Sequence, residues 1–154
     1  MIRITRETDY GIVLMTSMVR DDNPPYSAAT LAKQHQLPLP MVSKILKALA
    51  RAGLLISQRG AQGGYDLARS PKAISAADII DALEGPIAIT ECSAETLHAC
   101  MHENHCTVSG HWHRINSAIR QALNNISLWE MSRPPMAINL LGSGASKSVE
   151  VTEH

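Results

Sequence analysis

The stretch from Ser27 to Leu67 leaves this chain few folds to choose from. Ser27 is a good N-cap, Leu31 and Ala32 fall on one inward face, and the helical pattern ends near His35. Gln36-Leu37-Pro38 then makes a tight turn. Pro40 stands where a first-turn proline belongs, and Val42, Ile45, Leu46 and Leu49 recur at helical spacing up to Gly53, a suitable C′ residue. Leu54–Ser57 and Tyr65–Leu67 are strand candidates flanking the glycine-rich turn Arg59–Gly64. A helical pair alone is a weak signal, and the glycines alone could mark only a tight turn. Together they predict a helix-turn-helix with a β-hairpin wing. Lys44, Lys47 and Arg51 ride on the second helix, and Arg59 stands at the wing tip, where a flexible cation can enter a groove or meet a phosphate.

The flanking segments are helical. Thr5–Val19 predicts a first helix with Tyr10, Val13, Leu14 and Val19 as its apolar face, stopped by Asp22-Asn23-Pro24-Pro25. Ser75 to Asp78 reads as a capping box, opening a helix that buries Ile79, Ile80 and Leu83 and closes at Gly85. A longer helix is expected from His111 to Asn125. Its apolar stripe of Trp112, Ile115, Ile119, Ala122, Leu123 and Ile126 needs a partner. Self-pairing in a two-fold dimer supplies one, and packing back on the chain's own winged helix is the compatible alternative. Ser127 to Glu130 looks like a cap on a short last helix. The tail from Arg133 carries little periodicity and is expected to lack fixed structure. The fold class expected is mainly α with a small hairpin: a winged helix-turn-helix plus a long C-terminal dimerisation helix.

Between these parts, Cys92 to His113 holds all 3 cysteines and five of the 7 histidines, with almost no large apolar residue before Trp112. Such a segment has little to bury, so a metal or metal cluster is the natural means of ordering it. With no signal-peptide pattern and no run long enough to span a membrane, a cytoplasmic location is expected, where clustered cysteines point to metal or redox chemistry over structural disulfides.

The chain's 154 residues suit one domain or a small domain with an oligomerisation element, and its formal net charge is +0. That balance hides an asymmetry. Residues 1–70 carry nine Lys/Arg against five Asp/Glu, and residues 71–154 carry five against nine. A basic front half suits a protein that turns one end toward phosphates, although a mixed solvated surface would give similar counts.

The opening MIRITRETDYG, the wing RGAQGGYDL, the helix ISAADIIDALEG, the triple-cysteine segment and the closing LNNISLWEM together resemble the Rrf2-type bacterial winged-helix regulators. That family includes iron–sulfur biogenesis regulators and nitric-oxide-sensing repressors. The resemblance covers about residues 1–132, and it is nearest to the regulators of the SUF iron–sulfur assembly operon. It implies a homodimer on double-stranded DNA at a near-palindromic operator, with no membrane involvement. Residues 1–85 would be the DNA-binding part with its following helix, 86–110 the cluster-binding segment, 111–132 the dimerisation and terminal helices, and 133–154 the tail. Ser27, Pro40, Met41, Ser43, Lys44 and Lys47 would serve DNA binding, with Arg59, Gly60 and Gly64 in the wing.

By the same resemblance, Cys92, Cys100 and Cys106 would ligate a [2Fe–2S] cluster. The chain departs from the Isc-type pattern. Its first two cysteines are further apart, and Ser109 stands where that pattern has a histidine ligand. Asp9 matches the position from which the nitric-oxide-sensing branch supplies an aspartate from the partner subunit. His105 is a second candidate, and His98, His102 and His111 stay open.

The expected output is control of iron–sulfur assembly genes, by repression while cluster supply is adequate. Three readings compete: a structural zinc site, although the short Cys-x2–4-Cys knuckle is missing; a metal-free thiol switch; and a nitric-oxide-responsive repressor. Catalysis is not expected. No rigid element flanks the cysteines to hold one beside a histidine, and no Gly-Lys-Ser/Thr follows the glycine turn.

Overall fold

A computed structural model describes residues 3–21, 24–90 and 106–134. Six α-helices, one 3-10 turn and one two-stranded antiparallel hairpin occur among them. In order they are α1 (Arg6–Arg20), α2 (Ala28–His35), α3 (Leu39–Arg51), β1 (Leu55–Gln58), β2 (Gly64–Leu67), the 3-10 turn Pro71–Ala73, α4 (Ala76–Glu84), α5 (Ser109–Asn124) and α6 (Leu128–Met131).

Local chemistry sets the boundaries. Thr5, Ser27, Ser75 and Ser127 each cap a helix by accepting from a backbone N–H in its first turn, and Ser75–Asp78 and Ser127–Glu130 are complete capping boxes. Gln36 adopts the left-handed conformation that breaks α2 from α3, and Gly53 does the same past the end of α3.

The core lies among α1, α2, α3 and α4. Leu14, Leu31, Leu46, Leu49, Ile74, Ile79 and Leu128 are fully buried there. On α3 all four residues of the expected stripe are buried. On α1 the sequence expectation was partly displaced: Val13 is exposed, and Met15 and Met18 join Leu14 inside. Methionine fills such a groove because its unbranched chain adapts to the gap. Gly11 marks a tight crossing in this core, where an added Cβ would collide with Leu83 and press on Ile45 at 3.4 Å.

The last described segment closes the fold. Ala76 N–H donates to the Ile126 carbonyl and Leu128 N–H to the Ile74 carbonyl, both at 2.8 Å, so the two capping boxes lie side by side. Arg20 Nε reaches the Ser132 carbonyl at 2.5 Å, and the Arg133 guanidinium stacks on Trp129. Fixed structure therefore continues into Arg133, where the tail was expected to begin. β1 and α5 also differ slightly from expectation: β1 runs one residue later, and α5 starts two residues earlier, at Ser109.

Candidate nucleic-acid interface and cysteine segment

Helix α3 presents a polar, basic outer face because its apolar stripe is spent on the core. Pro40, Lys44 and Lys47 are exposed, and Met41 and Ser43 are half-buried beside them. Ser27 is occupied as the cap of α2, bonded to Thr30 N–H at 3.0 Å. Beside α3 the hairpin pairs Leu55 with Leu67 through Gln58 with Gly64. Arg59 and Gly60 stand exposed in its turn, with Gly60 at φ 115° and its carbonyl accepting from Gly63 N–H.

Gly64 has a packing reason as well. An added Cβ would sit 2.6 Å from the Tyr26 carbonyl oxygen. That closeness lets Tyr26 and Tyr65 exchange backbone hydrogen bonds at 2.8 and 2.9 Å, which tie the wing to the segment before α2. Between α3 and the wing lies an open cleft of about 480 Å³ lined by Lys47, Ala50, Arg51, Ser57 and Tyr65. Two cations one helical turn apart, facing two hydroxyls, are suited to a DNA phosphate. Ser57 and Tyr65 escaped the sequence reading because short strands do not reveal which face meets a helix.

The ion pairs divide these cations. Lys44 Nζ lies 2.7 Å from a carboxylate oxygen of Glu7. Among the described residues, Lys47, Arg51 and Arg59 have no carboxylate within ion-pair reach.

Of the expected cluster ligands, Cys92 and Cys100 lie outside the described residues, as do His98, His102 and His105. Cys106 is a free, half-buried thiol just before α5. Its carbonyl accepts from Ser109 Oγ at 3.2 Å, so the serine at the Isc-type histidine position is engaged locally. Asp9 and His111 are exposed, on α1 and α5. The described residues of one chain gather no group of three or more His, Cys, Asp or Glu side chains. The donor chemistry of three soft thiols fits an iron–sulfur centre, and the described end of the segment offers an uncommitted one.

Helix α5 anchors both flanks of that segment. Asn116 Nδ2 donates to the Ile87 carbonyl at 3.0 Å, and its Oδ1 accepts from Ile89 N–H at 3.2 Å. Asp81 accepts from Ile87 N–H at 3.1 Å and pairs with Arg120 at 2.8 Å. None of these tertiary contacts had a signal in the sequence. The apolar stripe of α5 stays open, with Trp112 38%, Ile115 43% and Ile126 44% exposed and no residue of the helix fully buried. Packing back against α4 therefore does not cover it. A groove of about 570 Å³ alongside, lined by Ile4, Ile80, Ile87, Ile119 and Leu123 among others, extends this uncovered surface.

Comparison with known proteins agrees with this geometry. Residues 4–134 match the Rrf2 family model, described as an iron-dependent transcriptional regulator. The chain is 30% identical over 132 residues to the HTH-type transcriptional regulator CymR of Bacillus subtilis, covering 85% of this chain and 90% of that one. It is 28% identical over 131 residues to IscR of Vibrio cholerae, covering 84% and 75%. Among solved structures, CymR, the global cysteine regulator of B. subtilis, superposes with a TM-score of 0.64 at 30% identity, covering 86% of this chain and 97% of that one. IscR of T. potens gives 0.62 at 29%, covering 84% and 85%.

Proposed function

This chain belongs to the Rrf2 family of DNA-binding, dimeric transcriptional regulators, and from that premise we propose that it senses iron–sulfur cluster status through a [2Fe–2S] centre and represses SUF-type cluster-assembly genes. It is a regulator and not an enzyme, as its relatives are. Among the described residues no helix is long and apolar enough to cross a membrane.

The observation that carries the sensing reading is the anchoring of both flanks of the cysteine segment on α5, by Asn116 at Ile87 and Ile89 and by Ser109 at Cys106. Residues 86–110 thus connect the winged-helix part, 1–85, to the dimerisation part, 111–132. Cys92, Cys100 and Cys106 would hold the centre, with Asp9 of the partner subunit as fourth ligand and His105 as the alternative. When bound, such a centre supplies a labile clasp that ties the three thiolates together. The protein's part is mechanical. Asn116, Asp81 and Arg120 pass a change in the segment to α5, and α5 sets the separation of the two α3 helices. Those helices must match half-sites one helical turn apart on a near-palindromic operator. Pro40, Met41, Ser43, Lys44 and Lys47 read or position the DNA from α3, Ser27 sits at the start of α2, and Arg59, Gly60 and Gly64 form the wing.

Anaerobic purification with a visible spectrum and iron, sulfide and zinc assays tests this. Brown protein with equal iron and sulfide, both lost in Cys100→Ala, supports the reading. Asp9→Ala and His105→Ala then identify the fourth ligand. Colourless protein with stoichiometric zinc makes the segment a structural clip.

A thiol switch is the second reading, favoured by the free Cys106 and by a Staphylococcus aureus CymR relative, 28% identical, whose structure was solved in an oxidised form. It predicts metal-free reduced protein that binds DNA and releases it after mild peroxide.

A further inference from the structure

Glu7 and Lys44 are 37 residues apart in the chain, yet their side chains meet at 2.7 Å. The fold makes this meeting systematic. Gly11 of α1 packs against Leu83 of α4 and Ile45 of α3, where an added Cβ would have no room. Glu7 lies one helical turn before Gly11 on the same face of α1, and Lys44 directly precedes Ile45. Core packing therefore places the backbones of Glu7 and Lys44 so that the carboxylate can reach the exposed face of α3. Lys47 and Arg51, further along α3, have no such partner among the described residues.

We infer that Glu7 is a positioning residue for DNA binding: it holds Lys44 in the free protein, so that docking exchanges an internal carboxylate for a DNA phosphate. The inference rests on α3 being the DNA-facing helix. A lysine contributes to non-specific affinity by displacing condensed counterions from phosphate. A lysine already paired contributes less, because its carboxylate must be left unpaired next to the polyanion. Glu7 thereby lowers the sequence-independent part of the affinity while Lys47 and Arg51 retain theirs. The pair is partly solvated, with the two side chains 41% and 67% exposed, so the effect is modest and salt-sensitive.

The test is fluorescence-anisotropy titration of a short DNA duplex of arbitrary sequence, over a salt series, with the dimer as purified. Variants are Glu7→Gln, Lys44→Gln, Lys47→Gln and the Glu7→Gln/Lys44→Gln pair, each checked for an unchanged melting temperature. Glu7→Gln is expected to tighten binding about two- to fivefold at low salt, as befits an exposed ion pair. The gain should fade at high salt and vanish when Lys44 is already Gln. An equal gain in both backgrounds overturns the inference, because Glu7 would then act only as surface negative charge. Weaker binding by Glu7→Gln also overturns it, making Glu7 itself a DNA contact. If neither lysine variant weakens binding, the reading of α3 fails first.

Discussion

Asn116 grips Ile87 through a two-point amide clamp, donating to its carbonyl at 3.0 Å while accepting from Ile89 N–H at 3.2 Å. The clamp uses the geometry of a β-ladder to bind the entry of the cysteine segment to a helix. Asn116→Ala removes both bonds and should lower stability by about 1–2 kcal/mol, at roughly 1 kcal/mol net per bond. If the clamp transmits the state of the segment, the same variant should also shrink the difference in operator affinity between cluster-loaded and cluster-free protein. Denaturant unfolding and DNA titration of the variant measure the two effects separately.

The open stripe on α5 predicts the consequence of charging it. Ile115→Glu places a carboxylate in the middle of the exposed apolar face proposed here to pair two subunits. Sedimentation should show monomer, and DNA affinity should fall roughly a hundredfold or more, since two linked half-site contacts become one. A dimer of unchanged stability would mean that another surface makes the interface.

At the wing, Gly64→Ala puts a methyl group 2.6 Å from the Tyr26 carbonyl oxygen and 2.7 Å from its carbon. Both are backbone atoms and cannot rotate away. A loss of about 1–3 kcal/mol is expected, as for overpacking elsewhere. Thermal unfolding checks the stability, and proteolysis within residues 58–64 checks whether the wing has loosened.

Glu84 supplies a pH dependence with a definite sign. Its carboxylate accepts from Thr5 N–H at 2.7 Å at the start of α1, and that bond holds its pKa below the usual carboxylate range. A depressed folded-state pKa contributes stability above the unfolded-state value, and that contribution is lost as pH falls through the folded one. Glu84→Gln should therefore destabilise at neutral pH and match the parent in acid. The difference is small, about 0.5 kcal/mol, because solvent screens an exposed carboxylate. Urea unfolding at neutral pH and at a pH well below the usual carboxylate range should show it.

Much of this architecture could be read directly from the residues. Caps at Ser27, Ser75 and Ser127 announce themselves because a short side chain satisfies a backbone donor a few residues away. The stripe on α3 is legible because its period matches the helix. What stayed hidden is tertiary. Nothing near Glu7 names Lys44, nothing near Asn116 names Ile87, and Val13 turned outward because α3, α4 and α6 together chose which face of α1 to bury. The cysteine segment was conspicuous by composition, but composition names donors without arranging them. Cys106, with its carbonyl held by Ser109, is the ligand candidate for which the structure adds local geometry.

In the proposed mechanism the state of the cysteine segment governs DNA binding. Titration of SUF promoter DNA with cluster-loaded and cluster-free protein, at one salt concentration and without oxygen, tests it most directly. The two affinities are expected to differ by about fivefold or more, within the usual range of allosteric coupling. Equal affinities in the two states would contradict it.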